Sequence, residues 1–199
     1  MTPGRSTIAL MVTGTVAVVA SAAVAGEGVP SWEAGLFRAV RGDPRRPTSQ
    51  VLTAVLFAPM QLGAAAAPPL VAAAAARAGL PRRSALGVAV CGLGAWWAGK
   101  GVKDLVGRKR PHHLVPGATV APGGSRDGLG FVSGHAAVAA ATATVLGPVL
   151  PRGWRWVTPL LVGVIGLARV QNGSHLPLDV VGGAGLGVVL GAAWRLAVG

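Results

Sequence analysis

The sequence predicts an all-α fold: an integral membrane bundle of six transmembrane helices with a short interfacial helix between the first two, forming one domain over residues 1–199. Three observations lead there. Hydrophobic residues make up 52% of the chain and charged residues only 12%, with a mean hydropathy of +0.58, a balance too apolar for an ordinary soluble domain. Apolar stretches recur between polar segments, three of them clearly long enough to cross about 30 Å of hydrocarbon and three shorter. Trp32, Trp154, Trp156 and Trp194 fall at or near the ends of these stretches, where indole rings prefer the headgroup layer.

The first span covers residues 6–25. It follows Arg5 and has small residues near its end, as a secretory signal peptide would, but its length and the apolar segments beyond it favour a retained span. Residues 31–42, SWEAGLFRAVRG, interleave Leu36, Phe37 and Val40 with Glu33, Arg38 and Arg41, the pattern of an interfacial helix. The turn-rich GDPRRPTS follows, then a second span over 51–76 and a third from 84 to about 106 with Lys100 and Lys103 in its last turns. Beyond a polar loop come spans at about 135–150, from 154 to about 168, and from about 176 to 198. These last three are interrupted or bounded by His135, Arg169 and Asp179. Ionisable residues inside spans face the protein interior or a water-filled cavity, so their positions already suggest a function. Trp96 and Trp97 sit deeper in the third span and read as packing.

The formal net charge is +12. The basic residues lie between apolar runs and aromatic residues are sparse, which favours anionic headgroups and phosphate over nucleic acid as partners. Cys91 is the only cysteine, which excludes an intramolecular disulfide and a cysteine metal cluster.

Six spans alternate between two faces, and one face collects the ends of spans three and five and the starts of spans four and six. That face carries Lys103, Arg110, Ser133, His135, Arg169, His175 and Asp179. In KDLVGRKRP, residues 103–111, Lys103 and Arg110 offer two cations to a phosphate dianion; taken alone they would read as interfacial lysine and arginine. In GFVSGHA, residues 130–136, a helix start provides free backbone N–H groups, Ser133 a hydroxyl, and Gly134 close backbone approach, with His135 beside them. In ARVQNGSHLPLD, residues 168–179, His175 and Asp179 are four apart, so on a helix the carboxylate fixes the tautomer and orientation of the imidazole. Arg169 adds a planar fork suited to phosphate oxygens.

These motifs, K-x6-RP, SGH and R-x5-H-x3-D in that order (103–111, 132–135 and 168–179), resemble those of the type 2 phosphatidic acid phosphatase superfamily, in its membrane lipid phosphate phosphatase branch. The resemblance implies that His175 is the nucleophile and forms a phosphohistidine, that Asp179 orients it, and that His135 protonates the leaving oxygen and later activates water. It implies that Lys103, Arg110, Ser133, Gly134 and Arg169 hold the phosphate oxygens, with no metal and no cofactor. The substrate would be a lipid phosphate in the bilayer of the cell membrane, such as a polyprenyl diphosphate, phosphatidic acid or phosphatidylglycerol phosphate. The span count puts the site opposite the N-terminus, and the family usually places it on the extracytoplasmic face; lysine and arginine counts alone do not orient the chain. Two positions depart from the pattern: Val132 stands where a proline is common and Ala168 where a serine is common. Neither removes a charge or a proton carrier.

Two other readings compete. Vanadium haloperoxidases share this phosphate pocket, but six apolar spans argue against that chemistry. A non-enzymatic carrier or headgroup-binding protein would need the basic face and not the histidines. His112 and His113 follow the first motif directly; they could touch the headgroup, and read more simply as loop residues.

Overall fold

The computed structural model describes residues 3–198, and every regular element among the described residues is helical. In chain order these are α1 (Pro3–Gly26), α2 (Ser31–Arg41), α3 (Pro47–Met60), α4 (Ala67–Arg77), α5 (Arg82–Val106), the single turn α6 (Pro111–Leu114), α7 (Gly134–Leu146), α8 (Val157–Gln171) and α9 (Pro177–Val198). Among the described residues, three segments are long and apolar enough to cross a membrane: Gly4–Gly26, Arg82–Leu114 and Pro177–Val198. A fourth joins them if α3 and α4 are counted as one span. The apolar Gly134–Val149 is shorter.

The second span expected from sequence is therefore not one straight helix. It bends by 74° between α3 and α4, across a 3-10 turn at Gln61–Gly63. Proline supplies the reason. Pro59 ends α3, and Pro68 and Pro69 open α4 without N–H donors and disfavour helical geometry in the residue before them. Gly63 in the turn packs so closely on His135 that a Cβ there would meet the His135 backbone carbonyl.

Helix α9 is central, packed most extensively on α1 and α7. Small residues make this possible. Gly183, Gly187 and Gly191 recur every fourth residue on one face of α9, against Ser133, Ala137 and Thr144; a Cβ at Gly183 or Gly187 would overlap a carbonyl oxygen of the facing backbone. On another face Gly185 meets Gly14 of α1. Behind α7, Val88, Cys91 and Ala95 of α5 pack with Ala137, Ala141 and Val145 into an apolar core. Close helix contact thus fixes the start of α7 against the start of α9.

Helix α2 forms where the amphipathic pattern places it, but its buried face differs from the apolar one. Glu33, Phe37 and Arg41, spaced one turn apart, point into the protein, while Trp32 and Leu36 are exposed. Phe37 joins Val115, Val170 and Leu176 in a cluster under the loops between helices. The buried carboxylate of Glu33 reaches the site described next.

Candidate functional site

Four helix ends converge. Helix α5 stops at Gly107, whose φ of 68° is the left-handed conformation that glycine adopts readily at a helix C-terminus. The chain then turns inward through Arg108 and Arg110. Helix α7 begins at Ser133, whose Oγ accepts the Ala136 N–H at 3.5 Å, while its own N–H donates to the Asp179 carbonyl at 2.8 Å. Arg169 lies in the last turn of α8, and His175 in the loop before α9, which Pro177 opens.

The resulting cavity of about 600 Å³ is lined by Lys103, Arg110, Gly134, His135, Arg169 and His175, together with Trp96, Lys100 and residues 124–129 of the loop before α7. Every residue expected to bind phosphate or carry protons lies at this cavity except Ser133 and Asp179, which are fully buried directly behind it. Trp96 stands edge-on to His135, with ring centroids 5.9 Å apart.

The cations are held by directed bonds. Lys103 Nζ donates to the carbonyls of Leu129, Gly130 and Val132 at 3.0, 3.0 and 2.6 Å, so all three of its donors pin the strand of chain that leads into Ser133. Arg110 Nε donates to the Asp127 carbonyl at 2.7 Å and Nη1 to that of Ser174 at 2.9 Å. Arg169 Nη2 donates to Ser125 Oγ at 3.2 Å and Nη1 contacts Met60 Sδ at 3.5 Å, while its buried Nε has no protein partner. A guanidinium donor buried beside a cavity of cations is what an anion would satisfy.

His175 is 2% exposed and its Nδ1 faces Asp179 Oδ2 at 3.4 Å. Nδ1 paired this way carries the proton, so Nε2 presents a lone pair. Burial, followed by the positive charges of Arg169, Lys103 and Arg110, holds the imidazole pKa well below its ordinary value of 6.5. The ring is accordingly neutral across the physiological range.

Asp179 does not pair with Arg169, the arginine of its own motif. Its Oδ1 accepts Arg108 Nη1 at 2.9 Å and its Oδ2 also accepts the Leu176 N–H at 2.9 Å. Arg108 in turn holds Glu33 of α2 through both carboxylate oxygens and donates to the Gly28 carbonyl at 2.9 Å. Arg108, Glu33 and Ser125 are the residues that motif reading missed. Arg108 sits between Lys103 and Arg110 without a distinguishing signal, and only the isolated acid on the buried stripe of α2 hinted at a buried partner. The two departures from the family pattern are both core positions: Val132 packs with Phe131 and Ala25, and Ala168 with Leu56 and Met60.

A family model described as the PAP2 superfamily matches residues 84–199. No curated protein sequence matches the chain. Among solved structures, the chain is similar to a transmembrane PAP2-type phosphatidylglycerolphosphate phosphatase from Bacillus subtilis, at a TM-score of 0.71 and 22% identity over 96% of this chain and 94% of that one. It is also similar to Aquifex aeolicus LpxE, at a TM-score of 0.68 and 22% identity over 81% of this chain and 93% of the other.

Proposed function

The chain belongs to the PAP2 superfamily, and on that premise we propose that it is a metal-independent membrane lipid phosphate phosphatase acting through a phosphohistidine. The observation that carries this reading is the convergence of a neutral, carboxylate-backed histidine, a second histidine and two arginines on one cavity. A protein that only binds headgroups would need the arginines but not a buried His175 with one nitrogen fixed and the other presented.

In the proposed reaction Nε2 of His175 attacks phosphorus as the bond to the leaving oxygen breaks, and His135 gives that oxygen its proton. Asp179 holds the Nδ1–H and stabilises the positive ring. His135 then takes a proton from water, which attacks the phosphohistidine, breaks the N–P bond and releases inorganic phosphate. Arg110 and Arg169, the Ser133 hydroxyl and the Gly134 N–H at the start of α7 bind the equatorial oxygens. Lys103 adds its charge while its donors fix the carbonyls before Ser133.

The candidate substrates are a polyprenyl diphosphate, phosphatidic acid or phosphatidylglycerol phosphate; the similar Bacillus subtilis protein is a phosphatidylglycerolphosphate phosphatase. In the cell membrane the bundle would be read with six crossings, α3 and α4 forming one bent span and α7 and α8 two short ones. All described residues then form one multi-pass domain whose site faces away from the N-terminus, on the extracytoplasmic side.

The test is phosphate release by the purified protein from those three lipid classes. Wild type releases phosphate from at least one, resists chelators and is inhibited by vanadate. His175→Ala loses at least about a thousandfold in rate while still binding substrate lipid. A His175→Ala protein as active as wild type would remove the phosphohistidine, and wild-type protein that binds these lipids without releasing phosphate would establish the carrier reading instead.

A further inference from the structure

We infer that Arg108 and Glu33 are a positioning pair for the reaction, setting the orientation and charge of Asp179 and through it the basicity of His175. The inference rests on the phosphatase reading of the site.

The pair is built for more than cohesion. Arg108 and Glu33 side chains are 2% and 0% exposed. Arg108 uses one nitrogen, Nη1, on both carboxylates at once, at 3.1 Å to Glu33 Oε1 and 2.9 Å to Asp179 Oδ1. Glu33 Oε1 also accepts the Leu178 N–H at 2.9 Å, in the first turn of the helix that carries Asp179. The two oxygens of Asp179 are thereby assigned: Oδ1 to Arg108, Oδ2 to the Leu176 N–H and the His175 ring. With Oδ1 anchored, the carboxylate has no freedom to turn away from the imidazole.

Charge points the same way. One guanidinium between two carboxylates leaves a net negative unit behind His175, while Lys103, Arg110 and Arg169 stand at the cavity in front of it. Had Arg108 only Asp179 to serve, the aspartate would be neutralised and its hold on a positive ring weakened. Glu33 draws part of the guanidinium charge to itself, leaving Asp179 able to support the ring as it becomes positive on attacking phosphorus. Glu33 comes from a helix whose other face presents exposed Trp32 and Leu36, so a residue outside all three motifs completes the site.

A purely structural pair makes a different prediction from a positioning pair, and a double-mutant cycle separates them. Phosphate release is measured for Arg108→Gln, Glu33→Gln and Asp179→Asn, singly and in combination, with kcat and KM resolved per folded protein. Arg108→Gln lowers kcat by about 10- to 100-fold with KM within about twofold. In the Asp179→Asn background the same change costs less than about threefold, because the group it acts through is already gone. Glu33→Gln, which keeps shape and the Leu178 acceptor, lowers kcat by about three- to tenfold, and Arg108→Lys does not support full rate, since an ammonium has three donors in no fixed plane where the guanidinium makes four directed bonds. Equal losses from Arg108→Gln with and without Asp179 would overturn the inference, as would a Glu33→Gln enzyme with wild-type kcat. Histidine 15N resonances give a readout independent of turnover. Arg108→Gln and Asp179→Asn shift the His175 ring away from the Nδ1–H tautomer in the same direction, and unmoved His175 resonances in Arg108→Gln would overturn the inference even if no lipid proved to be a substrate. Wild-type protein that releases no phosphate would instead remove the phosphatase reading.

Discussion

The two ends of this bundle are both basic, and they use their cations differently. At the end carrying His135 and His175, the three cations expected to bind phosphate are tied to named acceptors: Lys103 to three carbonyls, Arg110 to two, Arg169 to the Ser125 hydroxyl. At the opposite end a cavity of about 410 Å³ is lined by Arg83 of α5 and Trp194 and Arg195 of α9, and neither arginine makes a hydrogen bond or ion pair with a described residue. One end has cations fixed before any ligand arrives; the other has cations on flexible stems. Only the first arrangement avoids reorganisation when charge develops on a transferring phosphoryl group.

The sharpest way to break the comparison is to remove one fixed cation. Arg169→Ala deletes a guanidinium whose Nε has no protein partner and whose other contacts are one hydroxyl and one thioether, so the anion loses its fork. Removing one preorganised donor of this kind costs about 100- to 1000-fold in kcat. Steady-state phosphate release measures it. A loss under about fivefold would mean that Arg169 does not touch the phosphoryl group.

The ends should also differ in their response to acid. Folded His175 stays neutral well below its ordinary pKa, whereas in the unfolded chain it takes up a proton near pH 6.5. Below that pH the unfolded state binds more protons at this position, so stability falls as pH falls, with a limiting slope of about 1.4 kcal/mol per pH unit. His175→Gln removes this contribution. Its apparent unfolding midpoint should decline less steeply than that of wild type from pH 6.5 downward, as followed by tryptophan fluorescence in detergent. Parallel declines would show that the folded ring is already protonated.

Much of the site was legible in the sequence because its spacings are local. His175 and Asp179 are four residues apart, Ser133 to His135 open a helix, and alternation of apolar stretches brings the motifs to one face. The bend in the second span was not legible as such: a hydropathy reading joins residues 51–76, and the packing of Pro68 on Gly92 of α5 and of Gly63 on His135 of α7 comes from segments far along the chain. The orientation of α2 was misleading for a similar reason. Its amphipathic pattern shows which residues are apolar, but the partner of Glu33 lies far along the chain, and an ion pair between distant segments leaves no local trace. Lys103 shows the same limit at finer scale, since sequence gives a cation near phosphate but not the three carbonyls that claim its donors.

The smallest expected effect comes from the loose end. Arg83→Ala and Arg195→Ala should each change phosphate release by less than about twofold. Helix α7, with 13 residues, separates the two ends by about 20 Å. Two unit charges at that distance interact by about 0.8 kcal/mol at an effective dielectric constant of 20, and aqueous screening with a length of about 8 Å removes most of it. Arg83 and Arg195 sit on α5 and α9, but neither side chain makes a hydrogen bond or ion pair with a described residue, so no hydrogen-bonded route from either charge supplies what the field does not. If either substitution lowered kcat by tenfold or more at unchanged thermal stability, the two ends would be coupled. The cavity around Trp194 would then belong to the working machinery rather than to the surface that meets the bilayer.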